Sequence, residues 1–234
     1  MQMMKPIAHI HTEFPEKFGI PRQSGLVPSL RGRIVMEEPF NSLDWVKGLE
    51  EYNYLWLIFD FSKAHRQEYP ALVNPPRLGG KTKKGVFATR SPFRPNSMGL
   101  SSVKLESICA EEGKYELIVS GADLLDGTPI YDIKPYLPYT DCHTDALGSF
   151  GQEHSGDRLL VIIPDALKSQ IKEEDLRKLE EVLALDPRAA FQKKEDFVYG
   201  MSFMNYDVRF QVVDEILEVM EVVDRTEDTY RHVK

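Results

Sequence analysis

Cysteine is nearly missing from this chain, which has only Cys109 and Cys142 among 234 residues. The two are far apart and form no metal-spaced or redox pair. A disulfide scaffold is therefore not expected, and a reducing compartment is. Six histidines are scattered, the closest pair being His9 and His11. On a strand that spacing puts both on one face, but no second pair with zinc-site spacing accompanies them, so no metal site is expected. No apolar run approaches the ~20 residues that cross a bilayer, and residues 1–7 lack the apolar core of a secretory signal. The expected location is cytoplasmic, with no membrane partner. A Gly-rich nucleotide loop of the Rossmann type is also absent.

Positive charge is in deficit, with 29 Lys and Arg against 37 Asp and Glu, a net charge of -8. This argues against indiscriminate nucleic-acid binding, which depends on positive potential, but leaves room for one basic docking face. The acidity gathers in the second half, at Glu173-Glu174-Asp175, Glu180-Glu181 and residues 214–227, mostly as solvated faces. Residues 75–96 are the exception. Arg77, Lys81, Lys83, Lys84, Arg90 and Arg94 fall there without one carboxylate. Prolines and glycines exclude a long helix through this stretch, and only residues 85–89 read as a strand, with Phe87 expected to be buried. Such a strand between two stiffened basic loops suits an anionic or adenosine-bearing ligand.

The hydrophobic fraction of 42% supports a sizeable core in one large domain or two small ones. Residues 7–11 and 32–36 read as strands, and residues 43–49 as a short amphipathic helix entered at Asn41-Ser42. The aromatic run 54–61 reads as a strand buried on both faces. Residues 101–108 and 114–120 alternate with period two. Asp126-Gly127 marks a turn before a strand at 130–133. Short strands with turns between them suggest a sandwich or barrel for residues 1–140. Residues 141–157 read as a linker. Residues 158–234 read as an α+β domain, with a strand at 159–163, a helix start at Pro164, an amphipathic helix stopped by Asp186-Pro187-Arg188, and three strands at 201–203, 206–212 and 216–223. The fold class is mainly β. Trp45 and Trp56 are expected in the core or an interface, and Phe93 is a candidate for stacking on a base.

Several uncommon words occur in order: Pro21-Arg22-Gln23, Pro75-Pro76-Arg77-Leu78-Gly79-Gly80, Gly85-Val86-Phe87-Ala88-Thr89-Arg90-Ser91, Arg94-Pro95-Asn96, Asp126-Gly127-Thr128-Pro129, Asp132-Ile133-Lys134-Pro135-Tyr136 and Asp186-Pro187-Arg188. With them the chain resembles, over nearly its whole length, the TrmO (YaeB or TsaA-like) family. These are S-adenosylmethionine-dependent tRNA methyltransferases built on a β-barrel. The resemblance implies methylation of the exocyclic nitrogen of threonylcarbamoyl-adenosine beside the tRNA anticodon. It also implies a homodimer with cofactor bound by barrel loops near the subunit interface. It assigns cofactor contacts to Pro21, Arg22, Gln23, His65, Arg66, Arg90, Leu100, Asp123, Leu124, Leu125 and Asp126.

A sulfonium methyl is already electrophilic, so positioning and water exclusion are the main demands on the donor side. The carbamoylated acceptor nitrogen is a weak nucleophile that benefits from losing its proton. A carboxylate of the 123–126 turn, Asp126 among them, or Asp132, is the candidate base; the alternative is that Asp126 only shapes its turn. Arg90 and Arg94 suit a cofactor carboxylate or tRNA phosphates. Arg77, Lys81, Lys83, Lys84, Arg94 and Arg188 are the candidates to meet tRNA. Two other readings stay open: a non-catalytic adenosine- or RNA-binding module, and a same-fold methyltransferase acting on a small molecule.

Overall fold

The structure, a computed structural model, describes residues 4–75, 78, 82–111, 114–153, 155–188, 193–194 and 197–226. Strands β1 (Ala8–His11), β2 (Arg31–Met36) and β3 (Tyr54–Asp60) are followed by a two-residue pair, β4 (Leu72–Val73) and β5 (Lys84–Gly85). Then come β6 (Met98–Glu111), β7 (Lys114–Ser120) and β8 (Thr128–Pro135). Six of these close into a barrel in the order β1-β2-β7-β6-β3-β8. Closure leaves no strand edge of the barrel unpaired. Its filling comes from alternate residues, Ala8 and Ile10, Leu55 and Leu57, Leu117 and Val119, all fully buried. The turn before β8 works because Gly127 takes φ +71, a value that only glycine adopts freely.

Several sequence expectations fail here. The run 54–61 is buried mainly on one face. Leu55, Leu57 and Phe59 point inward while Tyr54 is 41% exposed and Trp56 half-buried, because a barrel wall has one interior. Residues 85–89 do not form a strand. Only Lys84–Gly85 pairs, and Val86–Ala88 coils into a 3-10 turn whose Val86 carbonyl accepts from both the N–H and the hydroxyl of Thr89, at 3.2 and 2.9 Å. A threonine that bonds locally diverts backbone from the ladder. Phe87 is thereby turned outward and is 80% exposed, not buried. Residues 43–49 also differ, forming two separate 3-10 turns, Leu43–Val46 and Leu49–Glu51. Trp45 is exposed and rests edge-on against Phe40.

Two short helices follow, α1 (Pro138–Asp141) at the boundary of the stretch that reads as a linker and α2 (Ser149–Glu153) inside it. Beyond them come β9 (Leu160–Ile162), α3 (Asp165–Lys168), α4 (Glu173–Ala184), β10 (Tyr199–Phe203), β11 (Tyr206–Val213) and β12 (Ile216–Asp224). The four strands form one sheet ordered β10-β11-β12-β9, with β9 parallel to β12. Leu179, Val182 and Leu183 of α4 bury against Met201, Val208, Phe210 and Val219. This second core also takes Phe14, Val27 and Leu30 from the loop between β1 and β2. Phe14 meets Phe203 edge-on at 5.7 Å, and Phe18 stacks on Phe210 at 6.4 Å. The loop 12–30 is thus held by both units, because its other side is bonded to the barrel. There the Thr12 hydroxyl donates to Leu124 O at 2.9 Å and the Gly25 N–H to Gly121 O at 2.8 Å.

Candidate active site at the barrel end

Residues that are distant in sequence meet at one end of the barrel in a cleft of about 670 Å³, within the size range of cofactor pockets. Four segments build it. The loop 12–30 brings Pro21, Arg22 and Gln23; the end of β3 and the loop leading out of it bring Phe59, Asp60, Phe61 and Ala64; the basic loop brings Arg90, Phe93 and Arg94; β6 and the 121–127 turn bring Leu100, Ser101, Asp123, Leu124 and Leu125. The Phe59 ring lies across Gly99, where an added Cβ would come within 2.2 Å of it. This glycine allows an aromatic wall to cross the neighbouring strand.

The polar groups are tied to each other. Arg90 Nη1 donates to the Gln23 amide oxygen, and the Gln23 amide nitrogen donates to Arg22 O. Ser101 Oγ donates to Asp123 Oδ1 at 2.6 Å. Burial pushes the Asp123 carboxyl above its ordinary pKa, against the opposing pull of the Ser101 bond and the Arg90 charge. Asp60, only 8% exposed, has His65 Nε2 at 2.7 Å from its Oδ1. Burial also raises the Tyr131 hydroxyl pKa, as does the adjoining Asp60 charge. Arg66 stacks its guanidinium on the Phe93 ring, 3.7 Å from the centroid.

The cleft therefore gathers Pro21, Arg22, Gln23, Arg90, Arg94, Leu100, Asp123, Leu124 and Leu125 of the expected site residues. His65 and Arg66 stand behind the lining and touch it through Asp60 and Phe93. Asp126 is placed elsewhere: its Oδ1 accepts from Thr12 N–H at 3.0 Å and lies 3.2 Å from His11 Nδ1, which is turn chemistry. Asp132 pairs with Lys134 at 2.8 Å on β8, also outside the lining. Neither Asp126 nor Asp132 lines the cleft, whereas Asp123, of the same turn as Asp126, does. Lys83 and Lys84 lie outside it too, and Arg77 and Lys81 fall outside the described residues. Arg188 is 6% exposed and is clamped on Asp186 through Nε at 2.8 Å and Nη2 at 3.1 Å. It has no free fork to offer a phosphate. The Asp186-Pro187-Arg188 turn instead presents its backbone to the cleft: Arg22 Nη2 donates to Asp186 O at 3.3 Å and to Arg188 O at 3.0 Å.

Sequence reasoning missed Asp60, Phe59 and Trp56. A lone carboxylate closing the apolar run 54–61 was the available signal.

Beside the cleft, and sharing Trp56, Arg90 and Leu100 with it, is a second hollow of about 470 Å³ that adds Tyr54, Ser102, Tyr136 and Asp141. Among the described residues no group of three or more His, Cys, Asp or Glu side chains is placed to hold a metal ion, and no helix is long and apolar enough to cross a membrane.

Fold and cleft together define a ligand-binding β-barrel joined to a small α+β unit. Family models match both parts, the tRNA-methyltransferase O N-terminal domain over residues 9–142 and the TrmO C-terminal domain over residues 157–225. The chain belongs to the tRNA-methyltransferase O family, as its motifs imply. It is 37% identical over 227 residues to the tRNA (adenine(37)-N6)-methyltransferase of Escherichia coli (strain K12), covering 94% of this chain and 97% of that protein. It is 39% identical over 228 residues to a putative S-adenosylmethionine-dependent methyltransferase, RcsF, of Pseudomonas aeruginosa, covering 94% of this chain and 96% of the relative. Among solved structures, a crystal structure of TrmO from P. aeruginosa superposes with a TM-score of 0.77 at 32% identity, over 96% of this chain and 97% of that one.

Proposed function

We propose that this protein is an S-adenosylmethionine-dependent tRNA methyltransferase that modifies the adenine next to the anticodon, with threonylcarbamoyl-adenosine as the acceptor. The observation that carries the reading is the convergence of Arg22, Arg90, Leu100 and Asp123 from separate segments into one cleft. Its donor set fits the cofactor: guanidinium forks for a carboxylate, carboxylates for an ammonium group and ribose hydroxyls, and aromatic and aliphatic walls for a purine. When bound, S-adenosylmethionine supplies a methyl whose bond to sulfur breaks as a bond to the acceptor nitrogen forms, the electron pair returning to sulfur.

The chain's own residues orient and exclude water. Phe59 and Leu124 are buried walls, and Arg90 is fixed by Gln23. The acceptor N6 proton must leave during transfer, and Asp123, whose burial raises its proton affinity, receives it. On this reading the carboxylates available to the chemistry are Asp123, from the turn already expected to supply one, and Asp60, with Asp126 and Asp132 outside the lining. The same reading carries a cytoplasmic homodimer; the exposed Tyr139 and Leu147 beyond the barrel offer such a contact apolar area.

Transfer of labelled methyl to tRNA with and without the threonylcarbamoyl group is the test. Label on the modified tRNA alone is expected, with Asp123→Asn lowering kcat by about 10²–10⁴-fold. Tight cofactor binding without transfer to either tRNA would establish a binding module, and transfer to a free small amine would establish the small-molecule reading.

A further inference from the structure

We infer that the hollow beside the cofactor cleft is the seat of the acceptor base, a purine of single-stranded RNA stacked against Tyr136 and Trp56. This rests on the methyltransferase reading above. The hollow is built from the outer face of the barrel wall, where β3 and β6 pair in register, Trp56 opposite Ser102 and Ile58 opposite Leu100. Outward aromatics on a barrel wall serve no barrel core, yet three gather here. Tyr136 lies 5.4 Å from Trp56 and 6.3 Å from Tyr54, centroid to centroid, with tilted planes.

The platform is rigid. The Trp56 indole N–H donates to Asp141 Oδ2 at 2.7 Å, and the Leu137 N–H donates to the same oxygen at 2.9 Å. The Tyr136 N–H is bonded to Tyr54 O at 2.9 Å. Pinned rings offer stacking area at small entropic cost. The Asp141 carboxyl is held below the usual carboxylate range by those N–H donors, so it stays ionised and does not withdraw from the indole.

Place and charge identify the occupant. The hollow and the cleft share Trp56, Arg90 and Leu100, so a ring seated in one stands next to a donor held in the other, as in-line transfer requires. Arg90 uses Nη1 on Gln23 and makes no other hydrogen bond among the described residues. Its charge also acts on Asp123, and the part of its fork not bonded to Gln23 can meet an anionic group carried by the acceptor, a carboxylate substituent or a flanking phosphate. Stacking on an aromatic face with a cation alongside is how single-stranded bases are held.

The experiment uses the full-length protein and the variants Tyr136→Ala, Tyr54→Ala and Tyr136→Phe. Affinity for S-adenosylmethionine is measured by calorimetry, methyl transfer to tRNA by label, and oligomeric state by sedimentation velocity. Tyr136→Ala is expected to lower kcat/KM for tRNA by about tenfold to a hundredfold, the worth of one stacked base, mainly through KM. Cofactor affinity should change less than twofold, and Tyr136→Phe should recover most of the loss. Undiminished transfer by Tyr136→Ala beside an active wild type would overturn this inference alone. A loss that tracks a change in sedimentation would overturn it in favour of a second copy of the chain covering the rings. An inactive wild type would remove the parent reading and this one with it.

Discussion

The barrel and the C-terminal sheet are both strand-built, but they treat polar groups differently. At its open end the barrel sets Arg22, Arg90, Asp60 and Asp123 against aromatic rings in a cleft. The C-terminal sheet and α4 close on apolar side chains and keep their charged residues for structure. Arg188 is locked on Asp186, which Lys193 also approaches at 2.9 Å. Lys178 stands between the buried carboxylates Glu13 and Asp175 at 3.6 and 3.9 Å. The difference teaches that the second unit meets the site through backbone carbonyls, at Asp186 and Arg188, and not through free charged side chains. Asp186 sits at φ +53 just past the end of α4, a left-handed position usually given to glycine or asparagine. That bend aims the Asp186 and Arg188 carbonyls at Arg22.

Breaking the charge cluster around Lys178 has the largest expected effect. Lys178→Met removes the cation between two buried carboxylates and should cost about 3–5 kcal/mol, read by urea unfolding. Adding Glu13→Gln to that variant should recover part of the loss, because Glu13 Oε2 already lacks a hydrogen-bond partner among the described residues.

Asp186→Asn comes next. Burial pushes the Asp186 carboxyl up, but its bonds to Arg188 and Lys193 outweigh that and hold its pKa below the usual range. A depressed folded pKa means stability that is present above the unfolded value of about 3.9 and lost as pH falls through the folded one. The variant should lose about 1.5–3 kcal/mol at neutral pH, and its deficit should shrink in acid as the wild-type carboxyl protonates. A deficit constant from pH 7 to pH 2 would refute the ion-pair account.

Arg188→Ala sharpens the comparison itself. With the Asp186 clamp gone, the Arg22 acceptors shift and S-adenosylmethionine should bind about tenfold more weakly, roughly 1.4 kcal/mol. In an Arg22→Ala background the same change should be silent, an outcome that mere loosening of the fold would not produce. Were Arg188 a phosphate contact instead, it would alter the salt dependence of tRNA binding and leave cofactor affinity alone. Asp126→Asn is the smallest change, since its Oδ1 keeps accepting from Thr12. Turnover within about twofold of wild type is expected for a turn residue.

Much of this was legible in the chain. The strand alternation of residues 114–120 and 206–212, the Asp126-Gly127 turn and the amphipathic α4 all follow from local period and turn chemistry. The words around Arg22, Arg90 and Asp123 named most of the cleft. Local pattern could not say that Thr89 would divert residues 86–88 into a turn and expose Phe87. Nor could it show that Asp126 would spend its carboxylate on Thr12, 114 residues away. Asp60 read as the end of a strand because its role depends on His65 and Tyr131 being folded beside it.

By itself the sequence determined the family, the strand-rich class and most of the segments that line the cleft, because those properties reside in composition, period and short words. Only the tertiary structure decided which carboxylates face the cleft and that the carbonyls of Asp186-Pro187-Arg188 meet Arg22. Those outcomes depend on the loop 12–30 being packed between two cores at once, a long-range arrangement that no local spacing encodes.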